Sequence, residues 1–364
     1  MIKTVGFGEI MGRMNMPAHK RFKQALPGRM DFSFAGAEAN VCAAIKLLGQ
    51  EASFVTALPK HEVGDACLFS LQRIGVDVSQ VLRVDEGRLG LYYVETGANQ
   101  RSGKVIYDRA QASVSLIPEE RYDWDMIFSG ASWFHISGIT PALSAIAAEA
   151  SLTAVKEAKR LGLTVSCDLN FRKNLWTWDT SLTGRELARK TMHRILPYVD
   201  VLIGNEEDAE DVLGIKAGHT NVHMGKLDIE QYPEVARQIH ALFPQIQKIA
   251  ITLRESISAS HNNWGAMLYD TESRRACFAP SVAGTYQPYE IRTIVDRIGG
   301  GDSFSGSLIF AMQDRRLRED DQAVVSFAVA ASCLCHSIEG DFNYVSREEV
   351  LALSGGDASG RVKR

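Results

Sequence analysis

A chain of 364 residues with 45% apolar residues can bury a large core, enough for two units of about 150 residues or for one large domain with an appendage. Its 40 basic and 44 acidic residues leave a net charge of −4, which is no electrostatic footprint for nucleic acid or an anionic membrane. No apolar run approaches the roughly 20 residues that cross a bilayer, and six cysteines without a CxxC pair, mostly in apolar runs, read as reduced thiols of a cytosolic protein.

The N-terminus, Met1 to Gly6, starts directly as a strand without a basic leader, apolar segment or cleavage site, so a cytoplasmic protein is expected. Further along, strands are predicted at Thr4 to Phe7, Ala52 to Ala57, Trp133 to Ile136, Leu163 to Asp168, Val199 to Gly204, Lys248 to Leu253 and Ala266 to Tyr269. Helices are predicted at Ala39 to Leu48, Ala66 to Ile74, Leu143 to Leu161, Gly184 to Leu196, Glu206 to Leu213 and Tyr232 to Phe243. Strands alternating with helices in this way imply a mostly parallel sheet covered on both faces, with a site at the carboxyl ends of its strands.

Two stretches break the alternation. Ile10 to Phe34 shows no helix pattern, and Leu89 to Thr96 with Lys104 to Asp108 forms a hairpin signal around Gly97-Ala98-Asn99-Gln100. Together they are expected to build a small sheet that serves as a lid, excluding water from a transfer reaction. The expected organisation is therefore an α/β core of residues 1–9, 35–88 and 111–353, a β lid of 10–34 and 89–110, and a flexible tail, 354–364.

The most informative segment is Asp296-Arg297-Ile298-Gly299-Gly300-Gly301-Asp302-Ser303-Phe304. A strand pattern, Tyr289 to Val295, precedes it and a helix pattern, Phe304 to Met312, follows. Glycines allow positive φ and close approach, and the first N–H groups of a helix have no internal partner, so the turn is suited to anionic oxygen. Asp302, at or near the N-cap, would repel a phosphate held there. It makes chemical sense as a base that takes a proton from an attacking hydroxyl.

Four other clusters fit such chemistry. Gly36 and Asn40 open a helix, where Asn40 can reach a ligand hydroxyl. Asp168, Asn170 and Arg172 emerge from a buried strand at its carboxyl end. Asn205 and Asp208 follow another strand, where oxygen ligands suit the water shell of Mg²⁺. Tyr92, Tyr93, Tyr107 and Arg109 lie on the lid, the tyrosines suited to a sugar and Arg109 to a carboxylate.

Other motifs fail. Gly6-Phe7-Gly8-Glu9-Ile10-Met11-Gly12 has its third glycine one residue late for a dinucleotide fingerprint, and no GxxxxGK[ST] is present. His219 and His223 have the spacing of a metal pair, but Gly218 and Gly225 place them in a loop.

Gly36-Ala37-Glu38-Ala39-Asn40, Gly64-Asp65, Asp168-Leu169-Asn170-Phe171-Arg172, Asn205-Glu206-Glu207-Asp208 and Asp296 to Phe304 resemble, in order and spacing, the ribokinase-like sugar kinases of the phosphofructokinase B family. Within that family, Gly8-Glu9, Gly-Ala-Glu-Ala-Asn and the Asp-x-Asn-x-Arg element are most similar to kinases of keto-deoxy sugar acids such as 2-keto-3-deoxygluconate. The resemblance implies a three-layer α/β/α core with a small β lid, and transfer of the γ-phosphoryl group of ATP to a sugar hydroxyl with Mg²⁺. It assigns Asp302 as the base and Gly299, Gly300 and Gly301 as the anion hole. Gly36, Asn40, Tyr93, Tyr107, Arg109, Asp168, Asn170 and Arg172 are assigned to the sugar, with Arg172 meeting its carboxylate. Asn205, Arg254 and Arg297 fall on the nucleotide side, and Asn205 and Asp208 would hold Mg²⁺ through water. A homodimer through the lid is a further implication, with no nucleic-acid or membrane partner.

The chain departs from the family pattern at several points. Ala35 replaces a glycine, Arg297-Ile298 replace the more frequent Thr-Thr or Thr-Gly, Asp208 stands for Glu, and Arg254-Glu255-Ser256 with an insertion around His261 to Trp264 replaces a glycine. Fructose or another family sugar is the alternative substrate, and a non-catalytic sugar or nucleotide sensor is the alternative class.

Overall fold

The computed structural model describes residues 2–216 and 229–360; His219 and His223, and the last four residues of the tail, lie outside the described residues. Its centre is a nine-stranded sheet. From one edge, the strands run Arg275–Ala279, His261–Asp270, Lys248–Ser258, Val201–Asn205, Thr164–Asp168, Trp133–Ser137, Lys3–Phe7 and Glu51–Val55. Neighbours from Lys248–Ser258 to Glu51–Val55 pair in parallel. His261–Asp270, Arg275–Ala279 and the short Tyr289–Ile291 add an antiparallel edge.

Both faces of the sheet are buried, which is why its strands read as near-continuous apolar runs. Along Lys248–Ser258, Ile249, Ile251 and Leu253 point into one core, with helices Ala145–Arg160, Gly184–Ile195 and Tyr232–Leu242. Ala250 points into the other, with Ala37–Leu47, Gly300–Gln313 and Asp321–Cys335. The result is the expected three-layer α/β/α arrangement. All six cysteines are free.

From Lys3–Phe7 the chain crosses to Glu51–Val55 on one side, then returns to Trp133–Ser137 on the other. Strand order reverses there, opening a crevice at the carboxyl ends. Over that end lies a four-stranded sheet ordered Asp31–Ala35, Met11–Asn15, Leu91–Glu95, Lys104–Asp108. Met11, Ala35, Tyr92 and Val94 form its small core, against which Ile298 of the glycine turn packs.

Four local expectations need correction. Ile10 to Phe34 contains a short helix, Phe22–Ala25, between its strands; with no buried residue, it has no apolar stripe to betray it. The strand expected over Tyr289 to Val295 ends at Ile291. The apparent insertion around His261 is the far half of a long hairpin that extends Lys248–Ser258 and turns back as His261–Asp270. In the segment expected to be a helix over Glu206 to Leu213, one short turn, Glu206–Asp208, gives way to a π-helical turn, Ala209–Leu213.

Candidate active site

The carboxyl ends of the parallel strands, the glycine turn and the four-stranded sheet enclose a cleft of about 620 Å³. Gly299 caps the helix Gly300–Gln313 with φ +84°, a left-handed conformation that disfavours side chains; a Cβ there would also come within 2.6 Å of the Asp341 carbonyl oxygen. At Gly301, by contrast, a Cβ would meet nothing within 4 Å, so that face of the turn is open to the cleft. The helix therefore begins earlier than the sequence pattern suggested, and Asp302 lies in its first turn, near the cap as expected.

Asp302 faces the cleft and accepts a 2.6 Å hydrogen bond from Asn40 Nδ2. Burial pushes its carboxyl up to about 6, opposed by the Asn40 bond, reinforced by Asp341 and opposed again by Arg172. Asn40 is thus held by the expected base, and its Oδ1 accepts the Gly36 N–H at 3.3 Å. Gly36 has its own steric reason to be glycine, since a Cβ would overlap the Glu9 carbonyl.

Asp168, Asn170, Arg172, Asn205 and Asp208 all line the cleft. Asp168 is buried; its oxygens accept Asn170 N–H at 3.2 Å and the Ser305 hydroxyl at 3.4 Å. Burial, then Asp208 and Asp302, raise its pKa well above the carboxylate range. Asp208 accepts the N–H groups of Phe171 at 2.9 Å and Asn205 at 3.0 Å, one on each oxygen. It pins the loop that carries Arg172, and burial raises its pKa. Arg172 is exposed, bonds only its neighbour's carbonyl, and has no ion pair among the described residues, although its charge acts on Asp168, Asp208 and Asp302.

On the other flank, Arg254 and Arg297 line the cleft without an ion pair among the described residues. Arg297 donates to Asn262 Oδ1 at 2.9 Å, and burial, with the nearby Arg254, lowers its pKa. Two like charges turned into one cleft suit a polyanion. No group of three or more acidic, His or Cys side chains fit for a metal occurs among the described residues. Asn205 and the exposed Glu207 line the cleft, while Asp208 has both oxygens engaged by backbone; this set suits a hydrated Mg²⁺ held mainly by phosphate rather than a protein cage.

The tyrosine expectation needs correction. Tyr92, not Tyr93, lines the cleft with Tyr107. These two are cross-strand partners and share a face, with ring centroids 6.0 Å apart, whereas Tyr93 pairs with Ile106 on the opposite face. Arg109 lines the cleft over the Tyr107 ring, but its guanidinium is paired with Glu9. Glu9, Trp264, Glu207 and Asp341 also line the cleft, beyond the residues the sequence points to. The hairpin register would have found Tyr92; Asp341 has no local signal, because only packing brings it to the turn.

Fold and cleft together define an α/β phosphotransferase with a ribokinase-like core. The pfkB family carbohydrate kinase model matches residues 1–343, and the chain belongs to that family. A 2-dehydro-3-deoxygalactonokinase of Haloferax volcanii is 30% identical over 357 residues, covering 98% of each chain. The crystal structure of a 2-dehydro-3-deoxygluconokinase from Thermotoga maritima is similar with a TM-score of 0.87 and 42% identity, again covering 98% of each chain. A candidate ribokinase II of E. coli in complex with ATP and Mg²⁺ shares the fold, with a TM-score of 0.73 at 20% identity over 96% of this chain and 98% of that one. The protein is an ATP-dependent carbohydrate kinase. No helix among the described residues is long and apolar enough to cross a membrane.

Proposed function

We propose that the protein phosphorylates a 2-keto-3-deoxy sugar acid, with 2-keto-3-deoxygluconate as the leading substrate. The observation that carries this is Arg172, a guanidinium at the cleft with no carboxylate partner among the described residues, in the same charge field as Asp302. An unpaired cation beside the base is suited to a substrate that brings its own carboxylate. The gluconate and galactonate forms named for the two similar kinases differ in configuration at one carbon, and this reading admits both.

In the mechanism, Arg172 holds the substrate carboxylate while Tyr92 and Tyr107 cover the sugar from the lid. Asp302, oriented by Asn40, takes the proton of the attacking hydroxyl as that oxygen bonds to the γ-phosphorus, and the bond from phosphorus to the β-phosphate oxygen breaks. The amides of Gly299 to Gly301 stabilise the charge on the transferring group, and Arg254 and Arg297 hold the nucleotide phosphates. Mg²⁺, when bound, neutralises phosphate charge; Asn205 and Glu207 would hold its water, with Asp208 steadying their loop. No covalent enzyme intermediate is required.

The reading includes a homodimer through the lid sheet, whose exposed Phe32 and Ile106 a second copy would cover. The six free cysteines support a cytoplasmic setting. The test is coupled ADP release with Mg-ATP across 2-keto-3-deoxygluconate, its galactonate counterpart, fructose, ribose and a nucleoside. Turnover confined to the two acids supports the proposal; turnover of fructose alone keeps the kinase and discards the acid.

A further inference from the structure

We propose that Arg13 is a positioning residue for phosphoryl transfer, an internal cation that locks the lid sheet to the glycine turn and holds the turn's amides in place. The inference rests on Gly299 to Gly301 serving as the anion hole. Arg13 sits at the centre of strand Met11–Asn15, far from the glycine turn in sequence, and is 1% exposed. A guanidinium so deeply buried requires partners. Its two terminal nitrogens bridge two carboxylates from separate segments, Nη2 to Asp296 and Nη1 to Asp341.

Each carboxylate has a second attachment at the turn or the lid. Asp296 opens the glycine turn: its Oδ1 accepts the Ile298 N–H at 3.1 Å, and its Oδ2 accepts the Gly340 N–H at 3.2 Å. Asp341 accepts the Tyr92 hydroxyl at 3.0 Å, and its backbone carbonyl lies against Gly299 closely enough to exclude a side chain there. Arg13 and Tyr92 both belong to the lid sheet, and Tyr92 also lines the cleft. One cluster therefore joins the element that covers the sugar to the element that holds the phosphoryl group.

Charge makes the arrangement more than a structural tie. Asp296 and Asp341 are both buried behind an anion-binding turn, where unbalanced carboxylates would repel the incoming phosphate. Arg13 offsets one of the two charges and fixes the geometry of both. Burial alone would favour loss of its proton, but Asp341 and Asp296 outweigh that and keep the guanidinium charged. Without it, the turn would lose its fastening and gain an adjacent field of the wrong sign.

The test compares Arg13→Ala and Arg13→Lys with the parent protein by steady-state kinetics and by amide hydrogen exchange of the segment 296–304, after circular dichroism has confirmed folding. For Arg13→Ala, kcat is expected to fall at least about thirtyfold while the sugar KM changes by less than about threefold. Exchange at the turn is expected to accelerate by about tenfold or more. Guanidinium at low millimolar concentration, and not sodium chloride of equal ionic strength, should recover part of both losses. Lysine keeps the charge but cannot bridge two carboxylates, so it should lose at least about fivefold in kcat with faster exchange. If the alanine variant does not fold, the lysine variant decides alone. Parent-like kcat and turn exchange in a folded variant overturn the proposal. A wrong substrate proposal would show itself differently, as a parent enzyme inactive on keto-deoxy acids, whereas turn exchange is read without any substrate.

Discussion

Asn40 Nδ2 donates to Asp302 Oδ2 at 2.6 Å, joining the early turns of two helices that lie 262 positions apart in sequence. The bond favours the ionised carboxylate and so lowers its pKa against the larger effect of burial. Replacing Asn40 with Ala should therefore move the acidic limb of the kcat/KM profile to higher pH, by about half to one unit, and reduce kcat about tenfold or more. A limb that stays in place would show that Asn40 does not tune the base.

Asp302 itself must be ionised to accept a proton. With its carboxyl pushed up to about 6, activity should rise as pH increases through that value and level off above it. Asp302→Asn should lower kcat by about 10²–10⁴ and leave sugar KM within a few-fold, because binding does not require the proton transfer. The pH–rate profile and initial-rate kinetics check both points.

Arg172→Leu should raise KM for a sugar acid about tenfold to hundredfold, the worth of a charge-assisted hydrogen bond, while KM for a neutral sugar stays near that of the parent. Its position without an ion pair among the described residues makes the comparison clean: the substitution leaves no buried carboxylate newly orphaned. Equal effects on both sugars would remove Arg172 from substrate recognition.

Arg254 and Arg297 bring like charges into one flank of the cleft, where a nucleotide polyphosphate would relieve the repulsion. Arg297→Met should raise KM for ATP about tenfold with little change in KM for the sugar. The same variant should show a smaller rise in Tm on adding ATP than the parent does, measurable by thermal shift.

Glu38 tests burial apart from catalysis. Its Oε1 accepts Ser137 N–H at 3.0 Å and the hydroxyls of Ser137 at 2.7 Å and Thr140 at 2.8 Å, whereas buried Oε2 has no hydrogen-bond partner among the described residues. Burial pushes its pKa up to about 7. A raised folded-state value contributes stability that is fully present below the unfolded value and is lost as pH rises through the folded one. Glu38→Gln, which removes that ionisation, should therefore gain about 2 kcal/mol relative to the parent on going from pH 5 to pH 8. Denaturant unfolding at the two pH values checks this.

Much of the architecture was legible because its causes are local. Alternating and continuous apolar runs marked the parallel strands, and the strand-turn-helix order placed Asp168, Asn205 and Asp302 on one sheet edge. Boundaries slipped where tertiary contacts overrode pattern: Lys248–Ser258 continues past Leu253 because His261–Asp270 pairs with it, a contact that no period in the segment announces. Tyr92 and Tyr93 look alike as neighbours, and only the register against Tyr107 decides which one meets the cleft.

By itself, then, the sequence determined the layered α/β core, the glycine turn and the types of side chain available for phosphoryl transfer, since glycine conformation, helix starts and burial patterns depend on neighbouring residues. Tertiary structure alone decided that Asn40 holds Asp302, that Glu9 takes Arg109, that Arg172 has no ion pair among the described residues and that Arg13 lies between Asp296 and Asp341. Those pairings join residues distant in the chain. Their energies depend on distances and burial set by how the layers and the lid pack, which no local pattern encodes.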